Sequence, residues 1–200
     1  MKVLFDHQIF EKQSFGGISR YFYEIINGLK NHNFVEVEIA LKYSNNIYLK
    51  NDDFFSTVVK QLNIYKEFWP DLHFKGKGKI FNLFKSANLI NSNYTQNKRV
   101  SEKKLKSGHF NIFHPTYYGD YFLKYIKNKP FVLTVFDMTY EYFPEYFWDY
   151  KEISSLKKNL CQKASKIIAI SLNTKKDLIN LFGINEKKNK SYISWEFFKC

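Results

Sequence analysis

The stretch PFVLTVF, residues 130–136, carries an apolar side chain at almost every position. A strand buried on one face alternates apolar and polar residues. A strand covered on both faces reads as a continuous apolar run, which is the mark of a parallel sheet between two layers of helix. KIIAIS at 166–171 is a second such run, and Val3 to Phe5 is a shorter third. HFNIFH at 109–114 reads as another short strand, ending at His114-Pro115, with a helical turn or two at YFLKYI. Helical spacing follows the strands. Ile18, Phe22, Ile25, Ile26 and Leu29 share one face of a helix over 18–30. Ile153, Leu156, Leu160 and Cys161 do the same over 146–164, and NTKKDLINLFG predicts a helix stopped by Gly183. Strand, helix, strand, helix with apolar strands predicts an α/β fold: a Rossmann-like, open, mostly parallel sheet with helices on both faces. No internal repeat interrupts it.

The region between these elements is less regular. VEVEIALKYS alternates, with Val35, Val37, Ile39 and Leu41 on one side and Glu36, Glu38 and Lys42 on the other, so it predicts a strand with one buried face. Two helices are expected near 53–67 and 79–91, and NKRVSEKKLKSG reads as a solvated helix or a mobile loop. KGKGK at 75–79 has two glycines but neither a preceding strand nor a P-loop Lys-Ser, so it is no phosphate loop.

Hydrophobic residues make up 44% of the 200 residues and aromatics 20%, with 21 Phe and 15 Tyr, enough to bury a substantial core. No run reaches the roughly 18 apolar residues of a spanning helix. The N-terminus has one Lys, a strand-like run and then Asp6, which is not a secretory leader. The sequons NYT and NKS therefore carry no weight. Cys161 and Cys200 make no metal or redox spacing and suit a reducing cytoplasm. The net charge of +12 favours polyanionic partners: nucleic acid, anionic lipid or phosphorylated substrates. Nearly all of the bases are Lys, which lacks the bidentate fork of Arg, so diffuse attraction is favoured over sequence-specific nucleic-acid reading. The Lys, Asn, Ile, Phe and Tyr content equally suits an AT-rich genome.

Ligands of such sheets bind beyond the carboxyl ends of the strands. The segments found there would bring Gly16, Gly17, Arg20, His114, Asp137, Glu141 and Ser171 to one edge. Each has a plainer reading. Gly16-Gly17 could be a turn, although a glycine pair before a helix N-terminus also suits an anion. Arg20 could hold a phosphate or pair with Glu24 one turn on. His114 could be a packed ring, Asp137 could cap the segment that follows, and Ser171 could cap the helix after it.

Four blocks taken in order, DHQIF…FGGISRYFYEII, FHPTYYGDYF, FVLTVFDMTYEYFPEYF and KASKIIAISLNTKKDLINLFGI, resemble the N-terminal half of a family 4 glycosyltransferase, the retaining, metal-independent group with the GT-B fold. The resemblance implies two Rossmann-like domains facing across a cleft. The N-terminal one holds the acceptor and part of the donor diphosphate; the C-terminal one holds the nucleotide-sugar. Gly16, Gly17 and Arg20, matching a GGxSRY block, would meet the donor phosphates or the transferring sugar. Asp137 would be the catalytic-loop group beside the reacting sugar, although the His that many relatives place there is absent, Phe136 and Tyr140 standing nearby. His114, Glu141 and Ser171 would lie on the acceptor side or support it. The resemblance further implies hexosyl transfer to a glycan or lipid-linked acceptor in polysaccharide or lipopolysaccharide synthesis, without a metal or other cofactor. It places the protein in the cytoplasm, with peripheral contact at the anionic inner membrane face. A basic, non-catalytic module binding nucleic acid or membrane is the alternative.

On that resemblance residues 1–190 form one domain, a complete member is roughly twice this length, and the nucleotide-sugar domain is absent. The expected consequences are an inactive fragment and self-association through the exposed interdomain face. SYISWEFFKC at 191–200 departs from the expected strand and turn, VIYHGNSL. One codon choice for it, read a base later, encodes that motif, so a frameshift near 187–191 and an out-of-frame tail are expected.

Overall fold

The computed structural model describes residues 1–52, 54–55, 72–86, 93–186 and 189–191. Among the described residues six parallel strands are set in the order β2-β1-β3 and β4-β5-β6: β1 (Lys2–Phe5), β2 (Glu36–Ile39), β3 (Ile112–His114), β4 (Val132–Val135), β5 (Lys166–Ala169) and β6 (Asn189–Ser191). One isolated parallel bridge, Phe113 to Phe131, joins the two ladders. The chain reverses its direction of travel across the sheet between β1 and β3, and that is the switch point at which open α/β sheets place ligands.

The α/β expectation is met, and the pleat shows why the strands are apolar throughout. Val3 and Phe5 enter one cluster with Ile9, Phe22 and Ile26, while Leu4 between them enters the other with Phe113, Leu133, Val135, Ile167 and Ala169. Helices α1 (Gln8–Lys12) and α2 (Gly17–Lys30) cover the first face. The opposite face is covered by α5 (Asn93–Ser107), α7 (Tyr150–Lys163) and α8 (Leu172–Phe182) through Leu105, Leu160, Cys161, Leu178 and Phe182. Short helices α3 (Ile47–Lys50) and α6 (Thr139–Tyr142), together with α4 (Lys77–Ser86), also lie among the described residues. Ser171 caps α8, its Oγ accepting from the Thr174 N–H at 3.0 Å, and Gly183 ends the helix in the left-handed region at φ 66°.

Three elements differ from expectation. β2 stops at Ile39 rather than running on to Lys42. The cause is Asn97 of α5, whose Oδ1 accepts from the N–H groups of Lys42 (3.0 Å) and Tyr43 (2.9 Å) while its Nδ2 donates to Tyr43 O, leading the chain out of the ladder. The basic stretch at 97–108 is a helix, and it is anchored. Asn97, Ser101 and Leu105 recur at four-residue spacing and are all buried, a mainly polar stripe that hydrophobic patterning cannot reveal. The helix expected from 146 begins at Tyr150, after a 3₁₀ turn at Pro144–Tyr146, and Lys157 joins its buried face. The out-of-frame tail expected from 191 lies, beyond Ser191, outside the described residues, as does most of the helix expected at 53–67.

Candidate functional site

At the switch point the first residue after β1 is Asp6, and it is fully buried. A carboxylate out of water must be surrounded by donors. Its Oδ1 accepts from the Gln8 N–H (3.3 Å), the Thr116 N–H (2.9 Å) and Thr116 Oγ1 (2.7 Å); its Oδ2 accepts from Gln8 Nε2 (2.7 Å) and Tyr121 OH (3.0 Å). The loops after β1 and β3 are thereby fastened to one anion. Gln8 adds a clamp: Gly119 N–H donates to its Oε1 at 2.7 Å, and its Nε2 donates to Gly119 O at 3.2 Å. A Cβ on residue 119 would stand 2.5 Å from Gln8 Oε1, so any side chain there would displace the Gln8 carboxamide and break the clamp. Next to the clamp, His7 is buried, with Nδ1 2.7 Å from Ser101 Oγ. That hydroxyl donates to Ala40 O, so the imidazole is its donor and Nδ1 carries the hydrogen. Burial pushes the His7 pKa down.

The glycine loop follows. Gln13 Oε1 accepts from the Ser19 N–H at 3.1 Å, Ser19 Oγ donates to Gly16 O, and a Cβ on residue 16 would lie 2.6 Å from Gln13 Oε1. The first-turn N–H groups of Gly17 and Ile18 have no acceptor among the described residues, so this helix start keeps two donors for an anion. Arg20 is half-exposed on the next turn, its Nε 3.7 Å from Glu24.

Beyond β4, exposed Asp137, one residue before the Met138 N-cap of α6, accepts the Thr139 N–H at 3.0 Å, and its carbonyl accepts from Lys157 Nζ at 3.2 Å. Lys157 Nζ also donates to Glu141 Oε2 at 2.9 Å, with 1% of the Lys157 and 7% of the Glu141 side chain exposed. Glu141 Oε1 is buried with no hydrogen-bond partner among the described residues. Thr174 Oγ1 donates to Phe136 O at 3.3 Å and also contacts Ser171 Oγ, which ties the Ser171 turn to the Asp137 loop. Lys157 thus unites Asp137 and Glu141, Ser171 adjoins them, and Gly16, Gly17 and Arg20 stand after β1. An apolar rim shares this edge: Phe15, Tyr146 and Trp148 are 73%, 77% and 96% exposed.

His114 sits behind the edge, buried on the α2 face. Its ring lies 5.2 Å from Phe5 and 5.3 Å from Phe22, and Nε2 is 3.0 Å from Thr134 Oγ1. Among the described residues no group of three or more His, Cys, Asp or Glu side chains could hold a metal ion. Nor is any helix there long and apolar enough to cross a membrane.

The family model for Glycosyltransferase Family 4 matches residues 15–190. The chain belongs to glycosyltransferase family 4. No curated protein matches it. Among solved structures it is similar to Anabaena Alr3699/HepE in complex with UDP and glucose, at 15% identity and TM-score 0.54. That match covers 96% of this chain and 44% of HepE. The same protein with UDP-glucose gives 16% identity and TM-score 0.48, over 96% and 43% of the two chains. The family 4 chain thus spans less than half the length of the solved structure it matches.

In this family 4 domain the residues that sequence reasoning passed over are Asp6, His7, Gln8, Thr116, Tyr121 and Lys157. The available signal was a charged residue directly after an apolar strand, where a carboxylate is either at a site or fully bonded.

His114 gives the domain a pH dependence. Burial lowers its pKa from 6.5 to about 3. The unfolded chain therefore binds the proton first, and stability present above pH 6.5 is lost as pH falls towards 3. The loss is about 1.4 kcal/mol per pH unit at the steepest. His7, shifted in the same direction, adds to it. Urea unfolding at pH 7 and pH 5 is expected to differ by about 2 kcal/mol through His114, with a contribution of the same sign from His7, and His114→Phe should remove the His114 share. An unchanged difference in that variant would assign the pH dependence elsewhere.

Proposed function

We propose that this chain is the acceptor-side domain of a retaining, metal-independent glycosyltransferase. The enzyme moves a hexosyl unit from a nucleotide-sugar to a glycan or lipid-linked acceptor, in polysaccharide or lipopolysaccharide synthesis on the cytoplasmic side of the membrane. The observation that carries the reading is the start of α2. Two N–H groups without acceptors among the described residues and a half-exposed Arg20 stand beside a rim of exposed aromatics. Helix-start donors and a guanidinium suit a diphosphate whose charge grows as it leaves the sugar. The rim suits a second domain closing over it, and the HepE structure with UDP and glucose supports a nucleotide-sugar as donor. Asp137 stands at the reacting edge, with Glu141 and Lys157 holding its loop. On this reading the 200 residues alone transfer no sugar.

The test joins this chain to the donor-binding domain of a family member and follows UDP release from UDP-glucose. Arg20→Ala is expected to lower the rate at least about tenfold, the loss of one charge-assisted contact, while its exposed bridge to Glu24 contributes little to stability. An Arg20→Ala rate equal to wild type would remove Arg20 from the donor site. The net charge of +12 supports a second reading, a non-catalytic module for nucleic acid or anionic membrane. It predicts steeply salt-dependent binding to DNA or to phosphatidylglycerol vesicles, with no dependence on sugar nucleotide.

A further inference from the structure

The switch-point cleft, about 360 Å³ and walled in part by Gln8, Tyr121 and Glu152, belongs to the site already described. A second concavity, of about 390 Å³, lies at the other end of the sheet. Its wall is the loop before β4, with Lys127, Asn128 and Lys129, and the turn before β5, with Lys163 and Ser165. In a parallel sheet these amino ends stand away from the edge that holds the start of α2. A four-residue strand separates the two ends by about 13 Å, with the core between. A ligand bound here therefore shares no group with one held by Gly17, Ile18 and Arg20.

Charge is the first argument. Three ammonium groups line the concavity and no carboxyl side chain does. Glu36 and Glu38, the acids of β2, are already matched to Lys2 and Lys104. The C-terminal end of α7 brings about half a negative charge, which leaves the concavity well positive. Lys129 Nζ is spent on Phe110 O at 2.7 Å. Lys127 and Lys163 have no ion pair or hydrogen bond among the described residues.

Backbone conformation is the second. Among the described residues Lys127 alone of the non-glycines has a positive φ, at 52°. A side chain there crowds its own carbonyl, and glycine or asparagine would take the conformation at less cost. The Lys127 and Asn128 N–H groups have no acceptor among the described residues. Successive free N–H groups at such a turn form a cradle for an anion. The cradle is held in place: the Lys129 N–H donates to Ile126 O at 3.1 Å, and the Ser165 N–H donates to Phe131 O at 2.9 Å. Donors fixed by the protein's own bonds bind with little ordering cost.

Donor type is the third. The ammonium and N–H groups only donate, and the Ser165 hydroxyl and Asn128 carboxamide can donate too. A carboxylate offers two oxygens and one charge to this set. A phosphate group offers three oxygens and close to two charges, the better match.

We propose that this concavity is a second anion site, which takes a phosphate group at the end of the sheet opposite the start of α2. Lys127 and Lys163 donate to its oxygens from two sides, and the Lys127 and Asn128 N–H groups close the base. Its occupant is an effector or an anchor, not a reactant. The claim stands apart from the glycosyltransferase reading, because none of its residues belongs to the edge described above.

The test maps amide shifts of the chain itself on addition of inorganic phosphate and pyrophosphate, against chloride at equal ionic strength. Lys127, Asn128 and Ser165 amides are expected to move. Lys127→Gly with Lys163→Ala should weaken this binding about tenfold or more. Glycine suits φ 52°, so the double variant keeps its turn, and its urea midpoint should not fall. Lys103→Ala with Lys176→Ala removes the same charge elsewhere on the surface and should leave the binding unchanged. Phosphatidylglycerol vesicles, compared with phosphatidylcholine, tell the two sources of phosphate apart. Competition with phosphate at these amides makes a lipid headgroup the occupant; its absence makes a free solute the occupant. The proposal is overturned if neither phosphate, pyrophosphate nor vesicles move these amides. Wild-type binding by the Lys127 and Lys163 double variant would overturn it too, as would equal weakening by the control pair, which would make the attraction diffuse. Shifts at Gly17 and Ile18 report on the start of α2 instead, so the failure of either site is read separately.

Discussion

Lys157→Met is expected to destabilise the domain by about 3–5 kcal/mol, the cost of leaving a buried charge without its partner. The side chain is 1% exposed, and its ammonium bonds the Glu141 carboxylate and Asp137 O. Removing it strands a carboxylate that already has one oxygen without a hydrogen bond among the described residues. Removing both charges does not: Lys157→Met combined with Glu141→Leu should return to within about 1–2 kcal/mol of wild type, because a buried ion pair contributes little beyond its own desolvation. Urea denaturation of the two single variants and the double gives the coupling directly. If Lys157→Met alone unfolds at the wild-type midpoint, the pair is solvated and the Asp137 loop is held by something else.

The second large effect belongs to Asp6. Asp6→Ala removes the acceptor of five bonds and leaves Gln8, Thr116 and Tyr121 with buried donors. Each stranded donor costs on the order of 1–3 kcal/mol, partly recovered by water and relaxation, so a total of about 3–5 kcal/mol is expected. The loss reaches the cleft, because Gln8 and Tyr121 are both wall residues and share this anchor. Amide shifts of Gly119 and Asp120 should broaden or move in Asp6→Ala even in the absence of urea. A variant with the wild-type unfolding midpoint and unmoved amides would show that Asp6 is dispensable to both loops.

The parts of this fold legible in sequence are those whose partners are close in the chain or apolar. β1, β4 and β5 were readable because both faces are covered, and α8 because Ser171 and Gly183 mark its two ends within twelve residues. β2 was overrun because what stops it, Asn97, lies 54 residues from Tyr43. α5 read as solvated or mobile because its inward stripe includes Asn97 and Ser101, and Lys157 was passed over because a lysine is usually exposed. The site divided in the same way. Gly16, Arg20 and Ser171 announce themselves through local geometry, whereas Asp6 meets Thr116 across 110 residues, and no pattern of spacing encodes that meeting. The Tyr, Gln and His side chains around Asp6 are ordinary residues brought together only by tertiary contact.

The single bridge between Phe113 and Phe131 makes the sheet two blades on one hinge line. His7, Gln8 and Glu11 ride on the blade of β1, and Glu152 and Leu156 are carried by the helix that leads into β5. Any change of twist at that joint has to carry with it the apolar cluster of Leu4, Phe113, Leu133 and Ile167, which spans both ladders, so the two blades are coupled through their core more than through their hydrogen bonds.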